Sequence, residues 1–150
     1  VNIGLIENRI PTLGVVYAPA LDRMFFASSA TGAFEESKKG IQKITIRPVP
    51  NSGPIAVASV SHRDESTNNW LNSNHIKDTI SIGSSLKFCL VACGEADVYP
   101  RFGPTMEWDT AAGDAVLRSA GGKVLLPSGE LFSYGKSNYR NSAFIAHGSF

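Results

Sequence analysis

The chain has 150 residues, of which 43% are hydrophobic and 18% are charged. This composition is typical of a folded globular domain and excludes a disordered chain, and no apolar run reaches the roughly 18 residues that a membrane span needs. The net charge is +1, from 14 basic and 13 acidic residues. We therefore expect no surface for a nucleic-acid polymer, while a small anionic ligand held by a few cations is compatible with this charge.

The first part of the chain has the short alternating runs of an antiparallel meander. Strands are predicted at residues 3–6, 13–17, 24–27 and 31–34, with a turn at 19–23. A few short strands rarely fold alone, and these strands are therefore expected to belong to a larger sheet. Because Val1 is not an initiator methionine and the alternation begins at once, we expect that another segment precedes it.

The composition turns polar at residues 35–40, which predicts a boundary. Residues 1–40 are interpreted as the remnant of an N-terminal antiparallel-sheet domain, and residues 41–150 as a C-terminal α/β domain. In this second part, strands are predicted at residues 55–60, 79–82, 96–99, 123–126 and 144–146, and helices at 67–72, 84–93 and 107–120. The alternation indicates an α/β fold around a mixed, mostly parallel sheet.

Ligands of such sheets bind beyond the carboxyl ends of the strands. This rule selects three polar loops, at residues 61–64, 83–85 and 99–109. No Walker A motif, dinucleotide-binding glycine motif or G-x-S-x-G elbow is found. Cys89 and Cys93 are interpreted as reduced thiols that pack in the fold, since two thiols are too few for a structural zinc site.

The motif WDTAAGD at residues 108–114, followed by AGG at 120–122, places Asp109 at the start of a predicted helix. A carboxylate is favoured there, as a helix cap or beside a bound ion, and both interpretations stay open. The small residues Ala111, Ala112 and Gly113 would let a phosphate or a neighbouring backbone approach closely. Alternatively, they pack the helix against another element.

These residues resemble the second signature of the inositol monophosphatase superfamily. GSSLKFC at 83–89, DVYPRFGPTMEWD at 97–109 and SVSHRD at 59–64 are similar to segments of its 3′(2′),5′-bisphosphate nucleotidases, the CysQ type. The resemblance implies a layered α-β-α-β-α phosphatase fold, of which this chain would be the C-terminal half. It also implies a cytoplasmic enzyme that removes the 3′-phosphate of adenosine 3′,5′-bisphosphate, with a peripheral place at the inner membrane and a homodimer as further options.

The resemblance also assigns site residues. Asp109 would be a Mg²⁺ ligand, and two or three Mg²⁺ ions would polarise the phosphate and activate water. The substrate-binding candidates, all polar or charged, are Ser61, His62, Ser84, Lys87, Arg101 and Glu107. Five of them have a structural alternative: a solvated helix face for Lys87, a strand-end ion pair for Arg101, a helix cap for Ser84, a backbone-bonded loop residue for His62, and a solvent-exposed carboxylate for Glu107.

The chain departs from the family pattern in one respect. The family's other metal ligands come from an earlier glutamate pair and a D-P-x-D-G-T motif, and the 150 residues contain neither. VNIGLIENR at residues 1–9 resembles the family segment directly downstream of those motifs, so the N-terminal half of the same protein is the expected partner. Two alternatives stay open: an inositol monophosphatase-like sugar-phosphate phosphatase, and a non-catalytic nucleotide- or anion-binding fragment.

Overall fold

The computed structural model of the protein describes residues 1–58 and 64–150. Its first sheet has five strands in chain order: β1 (Asn2–Glu7), β2 (Ile10–Ala18), β3 (Arg23–Ser28), β4 (Gly32–Ser37) and β5 (Gly40–Ile44). All neighbouring pairs are antiparallel, which confirms the predicted meander. The sequence pattern does not predict β5, because four of its five residues are exposed and only Ile44 is buried.

The polar stretch at residues 35–40 lies in a hairpin. Ser37 pairs with Gly40, and Lys38 and Lys39 form the turn between β4 and β5. The first sheet therefore ends at Ile44 rather than at the predicted boundary, since exposed hairpin residues have the same polar composition as a linker. The division into two domains stays a prediction.

The second sheet is mixed. Its strands are β6 (Ile55–Ala58), β7 (Asp78–Ser81), β8 (Val98–Arg101), β10 (Lys123–Leu125) and β12 (Phe144–His147), in the spatial order β10-β12-β8-β6-β7. Strand β6 is parallel to β7 and β8, and β12 is antiparallel to β8 and β10. A separate two-stranded ribbon pairs β9 (Thr105–Met106) with β11 (Arg140–Asn141). The predicted order, an antiparallel sheet and then a mixed sheet with helices, is confirmed. The second sheet is not mostly parallel, because β12 runs antiparallel to both its neighbours, so two of its four described strand pairs are parallel.

The described residues form three α-helices: α1 (Glu65–Ser73), α2 (Leu86–Ala92) and α3 (Glu107–Ser119). None of them is long and apolar enough to cross a bilayer. Helix α3 packs on β1 and β2 on one side and on α2 on the other. One apolar cluster includes residues of both sheets, and Cys89 lies within it while Cys93 packs against it. Both are free thiols.

The small residues of the WDTAAGD motif allow these close helix contacts. A Cβ atom on Gly14 of β2 would lie 2.3 Å from the carbonyl oxygen of Ala112, and one on Gly113 would lie 2.7 Å from the Phe88 ring. Ala111, Ala112 and Gly113 are buried. Of the two interpretations of these residues, the structure therefore supports close packing against neighbouring elements, and it gives no support to a phosphate approaching them.

Candidate active site

A cleft of about 370 Å³ opens where α2 begins, β8 ends and α3 begins. It brings together four of the predicted site residues: Ser84, Lys87, Arg101 and Asp109. Two of the three predicted ligand loops, at residues 83–85 and 99–109, contribute to its walls. The third loop, at residues 61–64, contains Ser61 and His62. Of this loop the structure describes only Asp64.

Lys87 is buried in the first turn of α2, with 5% of its surface exposed. Its Nζ donates to the carbonyl oxygen of Ser84 at 3.1 Å and lies 5.3 Å from the centre of the Tyr99 ring. Burial, and then the positive charge of Arg101, lower the pKa of Lys87 to about 8. The alternative of a solvated helix face is therefore wrong. Among the described residues only the Ser84 carbonyl accepts from this ammonium, so its other N–H groups can serve an anion in the cleft.

Arg101 stands at the carboxyl end of β8. Its Nε donates to the carbonyl oxygen of Gly103 at 3.2 Å, and its Nη2 donates to that of Pro104 at 3.2 Å. Within the described residues no carboxylate lies within 4.0 Å of its guanidinium, so the alternative of a strand-end ion pair is not supported there. Two backbone carbonyls hold the guanidinium, and within residues 1–58 and 64–150 its other donors have no partner, so they can serve a ligand.

Asp64 lies beside the Arg101 loop. It caps α1, where its Oδ1 accepts from the backbone N–H of Thr67 at 2.7 Å. A Cβ atom on Gly103 would lie 3.4 Å from Oδ2 of Asp64. The pKa of Asp64 is lowered, first by its hydrogen bond to Thr67 and further by the charge of Arg101. Asp64 therefore stays ionised at neutral pH.

Asp109 is exposed in the first turn of α3. Its Oδ2 accepts from the backbone N–H of Met106 at 2.8 Å, so the helix-capping interpretation is confirmed. The same side chain lines the cleft. Capping uses one carboxylate oxygen, and a carboxylate can accept at two. Capping and metal coordination are therefore compatible, and the second role stays a prediction.

The described residues supply few oxygen ligands for a metal ion. Mg²⁺ takes oxygen ligands, and a pair of ions needs several carboxylates. In the two described ranges, no three His, Cys, Asp or Glu side chains are grouped so that they could hold a metal ion. Asp109 fits as one ligand, but these residues alone do not fit the complete metal site.

The structure corrects the interpretation of Glu107. Only 8% of its surface is exposed, and its oxygens accept from the backbone N–H groups of Gly135 at 3.0 Å and Lys136 at 2.9 Å. Burial raises the pKa of Glu107, but these donors outweigh burial and the pKa is lowered overall. Glu107 does not line the cleft, so it anchors the loop at residues 135–136 and is neither a sugar ligand nor a solvent-exposed carboxylate here.

Ser84 is also corrected in part. It lines the cleft, but it does not cap α2, because the helix begins one residue later than a cap at Ser84 requires. Its backbone has a φ of 62°, in the left-handed region. Ser85 precedes the helix and makes no capping bond, since its hydroxyl donates to Oδ1 of Asn2 at 2.6 Å.

Tyr99, Thr105 and Thr110 also line the cleft, and the sequence analysis does not name them as site residues. All three lie within or next to the segment DVYPRFGPTMEWD, but the pattern that predicts an anion site consists of charged side chains. Tyr99 is 5% exposed and lies beneath the ammonium of Lys87. The ribbon that carries Thr105 is only two residues long in each strand, so no alternation could reveal it.

The inositol monophosphatase family model matches residues 1–148. The 3′(2′),5′-bisphosphate nucleotidase CysQ of Salmonella typhimurium is 48% identical over 136 residues, which are 89% of this chain and 53% of that protein. The nucleotidase CysQ of Buchnera aphidicola is 43% identical over 149 residues, which are 97% of this chain and 56% of that protein.

Solved structures agree with these relatives. The crystal structure of CysQ from Bacteroides thetaiotaomicron, at 37% identity, has a TM-score of 0.89 over 99% of this chain and 62% of that one. An inositol monophosphatase from Anabaena, at 28% identity, has a TM-score of 0.75 over 99% of this chain and 58% of that one. The chain spans about half the length of the curated relatives it matches. It belongs to the inositol monophosphatase family.

Proposed function

We propose that this chain forms the substrate-binding part of a Mg²⁺-dependent phosphatase that converts adenosine 3′,5′-bisphosphate to AMP and phosphate. The observation that carries the proposal is the single cleft that Lys87, Arg101 and Asp109 share. The identity to proteins named bisphosphate nucleotidases supports the choice of substrate. The activity is proposed for a full-length enzyme, meaning a polypeptide that carries these 150 residues together with the upstream metal motifs of the family.

The cations of the cleft suit a ligand with two phosphate groups. Lys87 offers a compact charge on a buried stem, and Arg101 offers a planar fork that two carbonyls already orient. An arginine fork can bind two oxygens of one phosphate, while a lysine binds as a point charge. We assign one phosphate to each cation, so that a monophosphate would use only part of the site.

The proposed reaction is direct hydrolysis. A water oxygen forms a bond to phosphorus, the bond between phosphorus and the 3′ oxygen breaks, and that oxygen leaves with a proton from water. Mg²⁺, when bound, would polarise the phosphate and activate the water. Asp109 is proposed as one of its ligands. The other ligands would come from outside the described residues, so a non-catalytic anion-binding role is the second candidate for the 150 residues alone.

Substrate binding by the full-length enzyme should weaken in alkali. The pKa of Lys87 is lowered to about 8, so its amine is charged below that pH and neutral above it. The KM for adenosine 3′,5′-bisphosphate should therefore rise several-fold between about pH 7 and about pH 9, a range in which phosphate groups, with a second pKa of about 6, are already ionised. Lys87→Met should have a high KM without this pH step. The same step in wild type and Lys87→Met would contradict the role of Lys87.

The proposal is tested through substrate discrimination by Arg101. In the full-length enzyme, Arg101→Ala should raise the KM for adenosine 3′,5′-bisphosphate by about tenfold or more, because a hydrogen bond to a charged group contributes about 1.5–3 kcal/mol. The KM for a simple sugar monophosphate should change less. Arg140→Ala, which removes an exposed arginine on β11, is the matched control. Equal losses on both substrates would show that Arg101 only holds its own loop.

A further inference from the structure

The ribbon of β9 and β11 orients two hydroxyl groups on the wall of the cleft. Asn141 lies opposite Thr105 in the ribbon and is 5% exposed. Its Nδ2 donates to Oγ1 of Thr105 at 3.1 Å and to Oγ1 of Thr110 at 3.1 Å. Both threonines line the cleft beside Asp109.

The orientation of the Asn141 amide follows from its other neighbour. Nζ of Lys136 lies 3.2 Å from Oδ1 of Asn141. An ammonium group can only donate, so the atom that faces Lys136 must be the amide oxygen. Nδ2 therefore faces the threonines, and both hydroxyl oxygens are acceptors in these bonds.

The environment of this amide holds it in place. Lys136 is fixed by Glu107, whose Oε1 lies 3.4 Å from Nζ and 2.9 Å from the backbone nitrogen of Lys136. The Tyr134 hydroxyl lies 3.2 Å from Oγ1 of Thr110 and 2.9 Å from Oδ2 of Asp114, which is fully buried. A buried amide whose groups are all bonded has no alternative orientation of equal energy.

The two hydroxyl protons then have different partners. Thr110 donates its proton to the carbonyl oxygen of Glu107 at 3.1 Å. Thr105 already accepts from Asn141, and within residues 1–58 and 64–150 its own proton has no acceptor. The side chain of Thr105 is half-buried at the cleft, so this proton is available to a ligand there.

We propose that Thr105 is a substrate-binding residue that donates a hydrogen bond to a phosphoryl oxygen, and that Asn141 is the positioning residue that makes it a donor. A phosphoryl oxygen fits because it only accepts hydrogen bonds and because Lys87 and Arg101 attract anions to the same cleft. The inference rests on the proposed function, since it needs a phosphate ester in this cleft.

The first test compares Thr105→Val and Thr105→Ser in the full-length enzyme with adenosine 3′,5′-bisphosphate. Thr105→Val keeps the shape but loses the donor, and should lower kcat/KM by about tenfold or more. Thr105→Ser keeps the hydroxyl and should stay within about threefold of wild type. Thr79→Val, at an exposed threonine of β7, is the matched control and should have no effect.

The second test reverses the direction of the hydrogen bond between the side chains of residue 141 and Thr105. In Asn141→Asp the carboxylate can only accept, so it takes the hydroxyl proton of Thr105. This variant should lose about as much kcat/KM as Thr105→Val, and the double variant should lose no more than either single variant. A merely structural Asn141 would instead lower the melting temperature and give additive losses.

The outcomes separate the two proposals. If the wild-type full-length enzyme releases no phosphate from adenosine 3′,5′-bisphosphate, the proposed function fails and this inference fails with it. If wild type is active and Thr105→Val stays within about twofold of it, only the role of Thr105 is overturned. If Thr105→Val does not fold, Thr105→Ala takes its place. It should lose about tenfold in kcat/KM alone and nothing further beside Asn141→Asp, and a loss within about twofold or a fully additive loss would overturn the role of Thr105.

Discussion

Replacing Asp109 by asparagine in the full-length enzyme should lower kcat at least ~100-fold and leave the fold intact. Asparagine keeps the size of the side chain and can still accept the backbone N–H of Met106, which lies 2.8 Å from Oδ2 in the wild-type chain. It lacks the negative charge that Mg²⁺ requires of a ligand. A helix cap alone predicts near-normal turnover.

Turnover across a Mg²⁺ titration, with a thermal melt of both proteins, measures this difference. Asp78→Asn, which changes an exposed carboxylate at the start of β7, is the control and should behave like wild type. Wild-type turnover of Asp109→Asn at ordinary Mg²⁺ concentrations would remove Asp109 from the metal site. The proposed phosphatase would then lose the residue that ties this chain to the metal.

The 150-residue chain alone should release no phosphate above background with Mg²⁺. Among the described residues Asp109 is the one carboxylate that lines the cleft, and no group of three potential ligands is present there. One carboxylate cannot hold a two-metal site. The measurement is phosphate release by the folded, purified chain, with the full-length enzyme in the same assay as the positive control.

Robust metal-dependent release by the chain alone would contradict this prediction and direct attention to substitute ligands. The sequence offers Asp64, Glu65 and Asp114 as candidates. The structure excludes Asp114, which is fully buried and whose oxygens accept from Arg118 at 2.6 and 3.1 Å. Asp64 and Glu65, at the start of α1, would be the first to replace.

Much of the fold could be predicted because its longer elements bury a regular pattern of apolar residues. The helix predicted at residues 107–120 is observed as Glu107–Ser119, and the strand predicted at 144–146 is observed as Phe144–His147. The elements that were missed bury little. Strand β5 is exposed except at Ile44, and β9 and β11 have two residues each, too few for periodicity to appear.

The candidate site could be predicted only as a set of residues in two loops. A lysine in a short helix is normally assigned to a solvated face, and only the packing of α2 against Tyr99 and its neighbours shows that Lys87 is buried. The burial of Glu107 could not be predicted from local sequence either, because its hydrogen-bond partners lie 28 and 29 residues further along the chain. The orientation of the Asn141 amide depends on the side chains of Lys136, Thr105 and Thr110, and no local sequence pattern shows that these residues meet.

A substrate comparison with the full-length enzyme decides whether the cleft is built for a nucleotide bisphosphate. Phosphate release from adenosine 3′,5′-bisphosphate, an inositol monophosphate and fructose bisphosphate should be measured at one Mg²⁺ concentration. Since Lys87 and Arg101 are assigned to separate phosphates, kcat/KM for the adenosine bisphosphate should exceed that for the inositol monophosphate by about tenfold or more, with AMP as the product. A higher kcat/KM for the inositol monophosphate would refute this assignment and favour a sugar-phosphate phosphatase.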